Sequence, residues 1–497
     1  MRRLSVVDEI FLRSHQGLGT PIALQGLWRT AETVDPGVLA RLHQELRTGP
    51  LGRRVVRPRV PGARARWHRN DRAHPLDRHC AALAPAEIPH WADACGADLD
   101  PEHGPGWRLS AAPLTDGGTI VALTCSHVLA DARGLIIAVE RALDAMDAGR
   151  AGQRSRGRGD EAADGGPDSD WLDAARTWAT VGLGGVRAAA RISRGARGPG
   201  RGRPAAGGGG AVPGGPLRPA LSDPVPHPHR ASAGPPARAE SPAVAASTAA
   251  TEQPDEPLRA AGLSVPAAIA GLTETAGTST FAELNEPALI FRCPVADWDA
   301  VAAAYGGTAN SLFIWLVANI LWAAGFPAAE IAASLPVDTR DEPRIDNDLA
   351  VTEIAVTPDD GPADIRATSR SAYERRMSGP RGVPEEFLYL VPDRVAHLLS
   401  RGAGERDILC SNIGPIPPAL SALGPHECTG IATRAVHPGL DYARRPRTRL
   451  SGYLCRFRDD YILTVASLYP ERTADAAALH RLVTATAARV GLPIRPW

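Results

Sequence analysis

The stretch TIVALTCSHVLADARG, residues 119–134, decides how the chain is read. Thr119–Leu123 has the pattern of a buried strand, and LADARGLIIAVERALDAM beyond it places Leu135, Ile136, Val139 and Leu143 at helical spacing. Between strand end and helix start sit His127 and, four residues on, Asp131. A catalytic group suits such a junction, because a rigid strand aims it and the turn keeps it accessible. A histidine there can act as general base near neutral pH. Asp131 can order the loop by accepting backbone hydrogen bonds or an arginine. The spacing H-x-x-x-D is common, so it points to chemistry only with its surroundings.

Upstream, GWRLSAAPLTDGGTIVALTCSH reads as two strands about an Asp116-Gly117 turn, and LSVVDEIFLR as a helix capped by Ser5. In the second half ALIFRCPV is a strand and DWDAVAAAYGG a short helix closed by glycine. Asn310 is the expected cap of the apolar helix SLFIWLVANILWAAG. GYLCRF and YILTVASLY form a hairpin about Asp459-Asp460, and TADAAALHRLVTATAARVG is a last helix. Strands alternating with helices in both halves indicate α/β layers. Between the halves, 24 of the 66 residues from 195 to 260 are Gly or Pro, and Ala179 to Thr280 contains no Phe, Trp or Tyr. Such a segment cannot offset its conformational entropy by burial. The division is therefore a first lobe over 1–150, a helical extension over 151–194, a disordered linker over 195–275 and a second lobe over 276–497. In the extension, DWLDAARTWATVGLGGVRAAARI is expected to pack through Trp171, Ala175, Trp178 and Leu183.

All 55 basic residues are arginine, which excludes a P-loop lysine and a pyridoxal Schiff base. Zero net charge argues against a nucleic-acid partner, and RGARGPGRGRP reads as solvated linker. Seven scattered cysteines without a C-x-x-C read as reduced, buried thiols. MRRLSVVDEI meets two acids before any apolar core of a signal peptide forms. The apolar run Leu312 to Phe326 is short for a membrane span and reads as a buried helix, with Trp315 and Trp322 as core. The expectation is a soluble, cytoplasmic monomer. His68, His74, His79 and Cys80 match no zinc spacing, so no metal is expected. Ser126, His127 and Asp131 do not make a serine hydrolase. The G-x-S-x-G elbow is missing, and neighbours on a strand point to opposite faces.

The segment around His127 resembles the H-H-x-x-x-D-G motif of the coenzyme A-dependent acyltransferase superfamily. That superfamily includes peptide-synthetase condensation domains, chloramphenicol acetyltransferase, the plant BAHD enzymes and the wax ester synthase/diacylglycerol acyltransferases. Four further pieces match in order: LSVVDEIFL, GPGWRLSAAPLTDGG, TANSLFIWLVANILW and SLPVDTRDEPRIDNDLA, the last carrying a "G-N" position at Asp346-Asn347. ILCSNIGPIPP resembles "S-N-V-P-G-P". Ser126 replaces the first histidine and Ala132 the glycine, and the BAHD D-F-G-W-G motif is absent.

The resemblance implies two chloramphenicol-acetyltransferase-like lobes with an active-site channel between them. It implies an acyltransferase, of the wax ester synthase-like branch, moving an acyl group from a thioester to a hydroxyl. His127 would be the base, and Asp131 would pair across the lobes with Arg340. Groups around Ser411 and Asn412 would meet the oxyanion. No cofactor is implied beyond the thioester cosubstrate. Coenzyme A or a carrier protein as donor, an amine acceptor, and peripheral membrane or lipid-droplet contact all stay open. So do a stand-alone condensation-type enzyme and a catalytically degenerate scaffold.

Overall fold

The computed structural model describes residues 2–17, 21–150, 169–195, 286–375, 389–390, 406–441 and 445–497. The first half supplies α1 (Val6–Gly17), β1 (Ala23–Thr30), α2 (Pro36–Thr48), the ribbon β2 (Arg53–Val56) and β3 (Arg66–Arg69), and the short β4 (Asp77–Arg78). It continues with α3 (Ile88–Asp93), β5 (Trp107–Pro113), β6 (Thr119–Ser126), α4 (Ala132–Arg150) and α5 (Asp170–Gly195). The second half supplies β7 (Ala288–Pro294), α6 (Val295–Ala304), α7 (Ala309–Ala323), β8 (Ile331–Asp338), β9 (Leu349–Val356) and α8 (Pro362–Arg375). After these come β10 (Ile408–Pro415), β11 (Ala422–Leu423), β12 (His426–Val436), β13 (Leu450–Phe457), β14 (Asp460–Ser467), α9 (Ala476–Ala488) and β15 (Arg495–Pro496). These elements form a mixed α/β fold of two lobes, each built on one large sheet.

The first sheet has the order β11-β12-β1-β6-β5-β4, the second β15-β7-β14-β13-β10-β8-β9. The Asp116-Gly117 hairpin joins β5 to β6, with Gly117 at φ 93° where a side chain would be strained. All eight residues of β6 are buried, so both faces of this strand are covered. The second sheet packs on α7, whose residues from Ser311 to Leu321 are all buried. A side chain at Gly452 of β13 would put its Cβ 2.7 Å from Val317 and 2.8 Å from Phe313, so glycine lets the helix lie close on the sheet.

Four findings amend the sequence reading. The sheets do not divide at the linker: β12, from the second half, lies beside β1 in the first sheet, from Ala23↔Val436 to Thr30↔Cys428. The first core accordingly includes Ile345, Ile416, Leu420 and Tyr453. The cap of α7 is Thr308, whose hydroxyl accepts from the Ser311 amide, because Asn310 already lies inside the first turn. On α5 the buried face carries Asp173, Ala174 and Thr177, while Trp171 and Trp178 are exposed. The cause is an ion pair: Asp173 takes the Arg64 guanidinium at 2.8 Å and the Arg64 amide at 2.7 Å. The expected linker, beyond Gly195, lies outside the described residues.

Among the described residues no single helix is long and apolar enough to cross a membrane. His68 and His79 are exposed strand and loop residues, and His74 faces Asp98 and Arg108. Among the described residues no group of three metal-ligating side chains forms. All seven cysteines are unbridged, and only Cys80 is exposed.

Candidate active site

His127 leaves the end of β6 with its amide bonded to Ile22 O at 2.9 Å. A tight turn follows, in which Leu129 N–H donates to Ser126 O at 2.9 Å. Asp131 then opens α4: its carbonyl accepts from Leu135 N at 2.8 Å and its Oδ1 from Gly134 N at 2.8 Å. Ala132, where the resembling motif has glycine, does not have a positive φ, so its side chain is accommodated without strain. Gly134 is different. A Cβ there would lie 2.3 Å from Ile345 O, so only glycine lets the start of α4 touch the loop between β8 and β9.

That loop, residues 339–348, carries the partners of the His127 turn. Arg340 Nη2 donates to Asp131 Oδ1 at 2.5 Å, with both side chains about 95% buried. Arg340 also donates to Asp338, Arg344 O and Asp346 O, so its charge is fully engaged. The second Asp131 oxygen accepts from Asp348 N at 3.0 Å. Asp346 binds Arg53 at 2.5 Å and Arg2 at 2.8 Å, and Arg53 returns to donate to Leu129 O. The guanidinium of Arg53 lies over the Trp67 ring at 3.8 Å. Breaking such a pair on one side strands a buried charge.

Asn347 touches the imidazole itself. Its Nδ2 donates to Asp8 Oδ1 at 2.8 Å, His127 O at 2.9 Å and Val128 O at 3.2 Å. Two of these acceptors are carbonyls, so the amide can face only one way. Its Oδ1 is left toward His127 Nδ1 at 3.1 Å. An amide oxygen can only accept, so Nδ1 carries the proton and Nε2 holds the lone pair. Nε2 has no hydrogen-bond partner among the described residues. Phe11 of α1 stacks on the ring, with centroids 3.6 Å apart and planes 15° from parallel.

Asp8 orients Asn347 a second time through its amide at 3.0 Å, and is itself held by Ser5 N at 2.9 Å. Ser5 and Asp8 bond reciprocally as a capping pair on α1. Burial, and after it the neighbouring Asp346, lifts the Asp8 carboxyl above its ordinary value. Burial pushes His127 below the ordinary histidine range against the smaller opposing pull of Asp131, so the ring is neutral at pH 7.

The structure thus brings His127, Asp131 and Arg340 together. Ser411 and Asn412 lie on β10, where Asn412 Nδ2 donates to Asn310 Oδ1 at 2.9 Å, with no described contact to His127. Ser126 is buried, and its hydroxyl accepts from Val128 N at 3.3 Å without reaching the imidazole. Cys125 is pushed up to about 12 by burial, which leaves it a thiol. Asp8, Arg53 and Phe11 are site residues that sequence reasoning did not single out, and Asn347 was marked only through the "G-N" position. Asp8 and Phe11 carried a signal in the first-helix motif LSVVDEIFL; Arg53 carried none.

No family model matches the sequence, and no curated protein matches it. Solved structures do. The first condensation domain of the CDA synthetase superposes with a TM-score of 0.53 at 15% identity, over 100% of this chain and 97% of that one. Polyketide synthase associated protein 5 from Mycobacterium tuberculosis gives 0.50 at 12% identity, over 99% and 98%. The wax ester synthase/diacylglycerol acyltransferase from Marinobacter aquaeolei VT8 gives 0.48 at 14% identity, over 99% and 100%. The chain shares the two-lobed fold of the CDA synthetase condensation domain.

Proposed function

We propose that the chain is an acyltransferase that moves an acyl group from a thioester to an acceptor hydroxyl, with His127 as general base. The observation that carries this is the Asn347 clamp, which puts the proton on Nδ1 and leaves the Nε2 lone pair without a partner among the described residues. Nε2 takes the proton of the acceptor hydroxyl as its oxygen attacks the thioester carbonyl. The carbon–oxygen bond forms, the tetrahedral intermediate collapses, and the carbon–sulfur bond breaks. The departing thiolate regains the proton from Nε2–H, so ester and free thiol leave and the enzyme is unchanged. No covalent intermediate is required. Holding two substrates at one imidazole supplies much of the rate. Donors for the oxyanion are assigned to groups around Ser411 and Asn412. Asp131 and Arg340 act as positioning residues.

A second reading has an acyl chain delivered on a carrier protein and an ester or amide formed. The likeness to a condensation domain favours it. The test is acceptor-dependent release of free thiol from acyl-CoAs of two to eighteen carbons, or from acylated carrier protein, with alcohols and amines as acceptors. Release from one donor class that disappears in His127→Ala supports transfer and selects between the readings. Folded protein that releases no thiol from either donor would remove both and leave a scaffold.

A further inference from the structure

A helix on a protein surface normally buries its apolar stripe and turns its polar side to water. The helix α5 does the reverse. Ion pairs fasten its polar side to the first lobe: Asp170 takes Arg3 at 2.8 Å and Arg66 at 3.2 Å, and Asp173 takes Arg64 at 2.8 Å. Asp173, Ala174 and Thr177 on that side are buried. The opposite side carries Trp171, Ala175 and Trp178 at i, i+4 and i+7, with Leu172 and Ala179 beside them, and all five are exposed. Trp171 is 73% exposed, and Leu172 and Trp178 are 56% exposed each. The other large hydrophobic side chains exposed among the described residues, Ile10 and Tyr305, lie on other elements.

The surroundings of this face are basic. Trp178 Nε1 donates to Pro61 O at 3.4 Å, which seats α5 beside the loop that joins β2 to β3. Residues 53–66 and 169–182 together hold seven arginines and two aspartates. Those two aspartates are Asp170 and Asp173, already engaged by Arg3, Arg64 and Arg66. Arg59, two residues from Pro61, is exposed and has no carboxylate partner among the described residues. Beyond Asp173, α5 itself carries Arg176, Arg187, Arg191 and Arg194 and no acid.

Exposed tryptophans and a leucine amid surplus arginine fit the boundary of an anionic bilayer. Indole rings settle among the headgroups, the leucine reaches the acyl region, and guanidiniums meet the phosphates. The arginines along α5 oppose its crossing the hydrocarbon, so it lies along the surface. A second copy of the chain would set a face of the same sign against this one and be repelled. We propose that this face docks the chain on an anionic phospholipid surface, with α5 lying along the bilayer plane. The inference stands on the surface alone and is independent of the acyl-transfer reading.

The experiment is sedimentation of the full chain with vesicles of phosphatidylcholine alone and of phosphatidylcholine with about 30% phosphatidylglycerol. Each is run at about 0.1 M and about 0.5 M salt. Trp171→Ser/Leu172→Gln and Arg59→Glu are run alongside, each checked for an unchanged urea transition. Wild type is expected to bind the anionic vesicles at least about tenfold more tightly than the neutral ones, and to lose that advantage at the higher salt. The double variant should lose at least about tenfold on the anionic vesicles. Arg59→Glu should weaken binding to the anionic vesicles and leave the neutral ones unaffected. Wild type that stays in the supernatant with both vesicles, or binding that both variants retain, would overturn the proposal. So would a dimer on size-exclusion chromatography that the double variant dissolves while wild type ignores vesicles, since the face would then belong to a second copy. Retention of an RNA oligonucleotide in place of vesicles, lost in Arg59→Glu, would overturn it as well.

Discussion

One side-chain amide decides what His127 can do. With the Asn347 oxygen on Nδ1 the imidazole is presented as a base at Nε2. Asn347→Ala is expected to lower kcat by at least about tenfold with little change in KM, because both tautomers then become available. The pH profile should change shape with it, which a purely structural lesion would not produce. His127→Ala should cost about 10²–10⁴-fold in thiol release. Burial lowers the His127 pKa, so the acid limb of kcat/KM should fall below the ordinary 6.5. The same shift acts on stability. Between the lowered value and 6.5 the unfolded chain binds more protons than the native one, so stability declines as the pH drops through that window. Denaturant titrations at pH 7 and pH 5 should show that decline in wild type and a smaller one in His127→Gln. His127 and Asp131 were legible in the sequence because a strand pattern ends and a helical pattern begins around them. Asn347 was marked only by the resembling motif, and its hold on the imidazole was not legible, because that contact spans 220 residues and depends on how one loop lies against another.

At the scale of elements, the His127–Asp131 turn and the loop between β8 and β9 are one structure made from two segments. Asp131 caps α4 with the same oxygen that holds Arg340. Arg340→Ala should cost about 3–5 kcal/mol of stability, since it leaves a buried carboxylate unpaired. Asp131→Ala is expected to lose activity mainly by releasing the loop; an equally stable, fully active Asp131→Ala chain would contradict this. Gly134→Ala should lose activity while α4 itself stays helical, because the new methyl drives α4 away from Ile345 O. Circular dichroism together with thiol release checks it. Sequence pattern located most of these elements, since apolar periodicity reflects local burial. It misjudged the cap of α7 by two residues, and on α5 it favoured the tryptophans. There a charged pair, Asp173 with Arg64, determines which face turns inward, and hydrophobicity carries no trace of it.

At the scale of the molecule, a strand from the second half of the chain sits in the first lobe's sheet. β12 completes the first sheet and carries Ile431 O, which accepts from Cys455 Sγ of β13 at 3.5 Å. Fragments 1–197 and 280–497, expressed separately, should therefore fail to unfold cooperatively, and when expressed together should copurify as one species. Size-exclusion chromatography and a urea transition decide this. Composition marked two blocks, but an exchanged strand leaves no signature in local periodicity, because β12 reads as a strand whichever sheet receives it. The exchange also sets a timetable for synthesis. β1 can pair with β6 once residue 126 has left the ribosome, yet its other edge waits for residue 436, about 300 residues later. At ribosomal speeds that is roughly 15–60 s during which β1 offers an unpaired apolar edge. A nascent chain of this kind depends on the chaperones that meet it at the ribosome, and its yield in a foreign host should follow their supply.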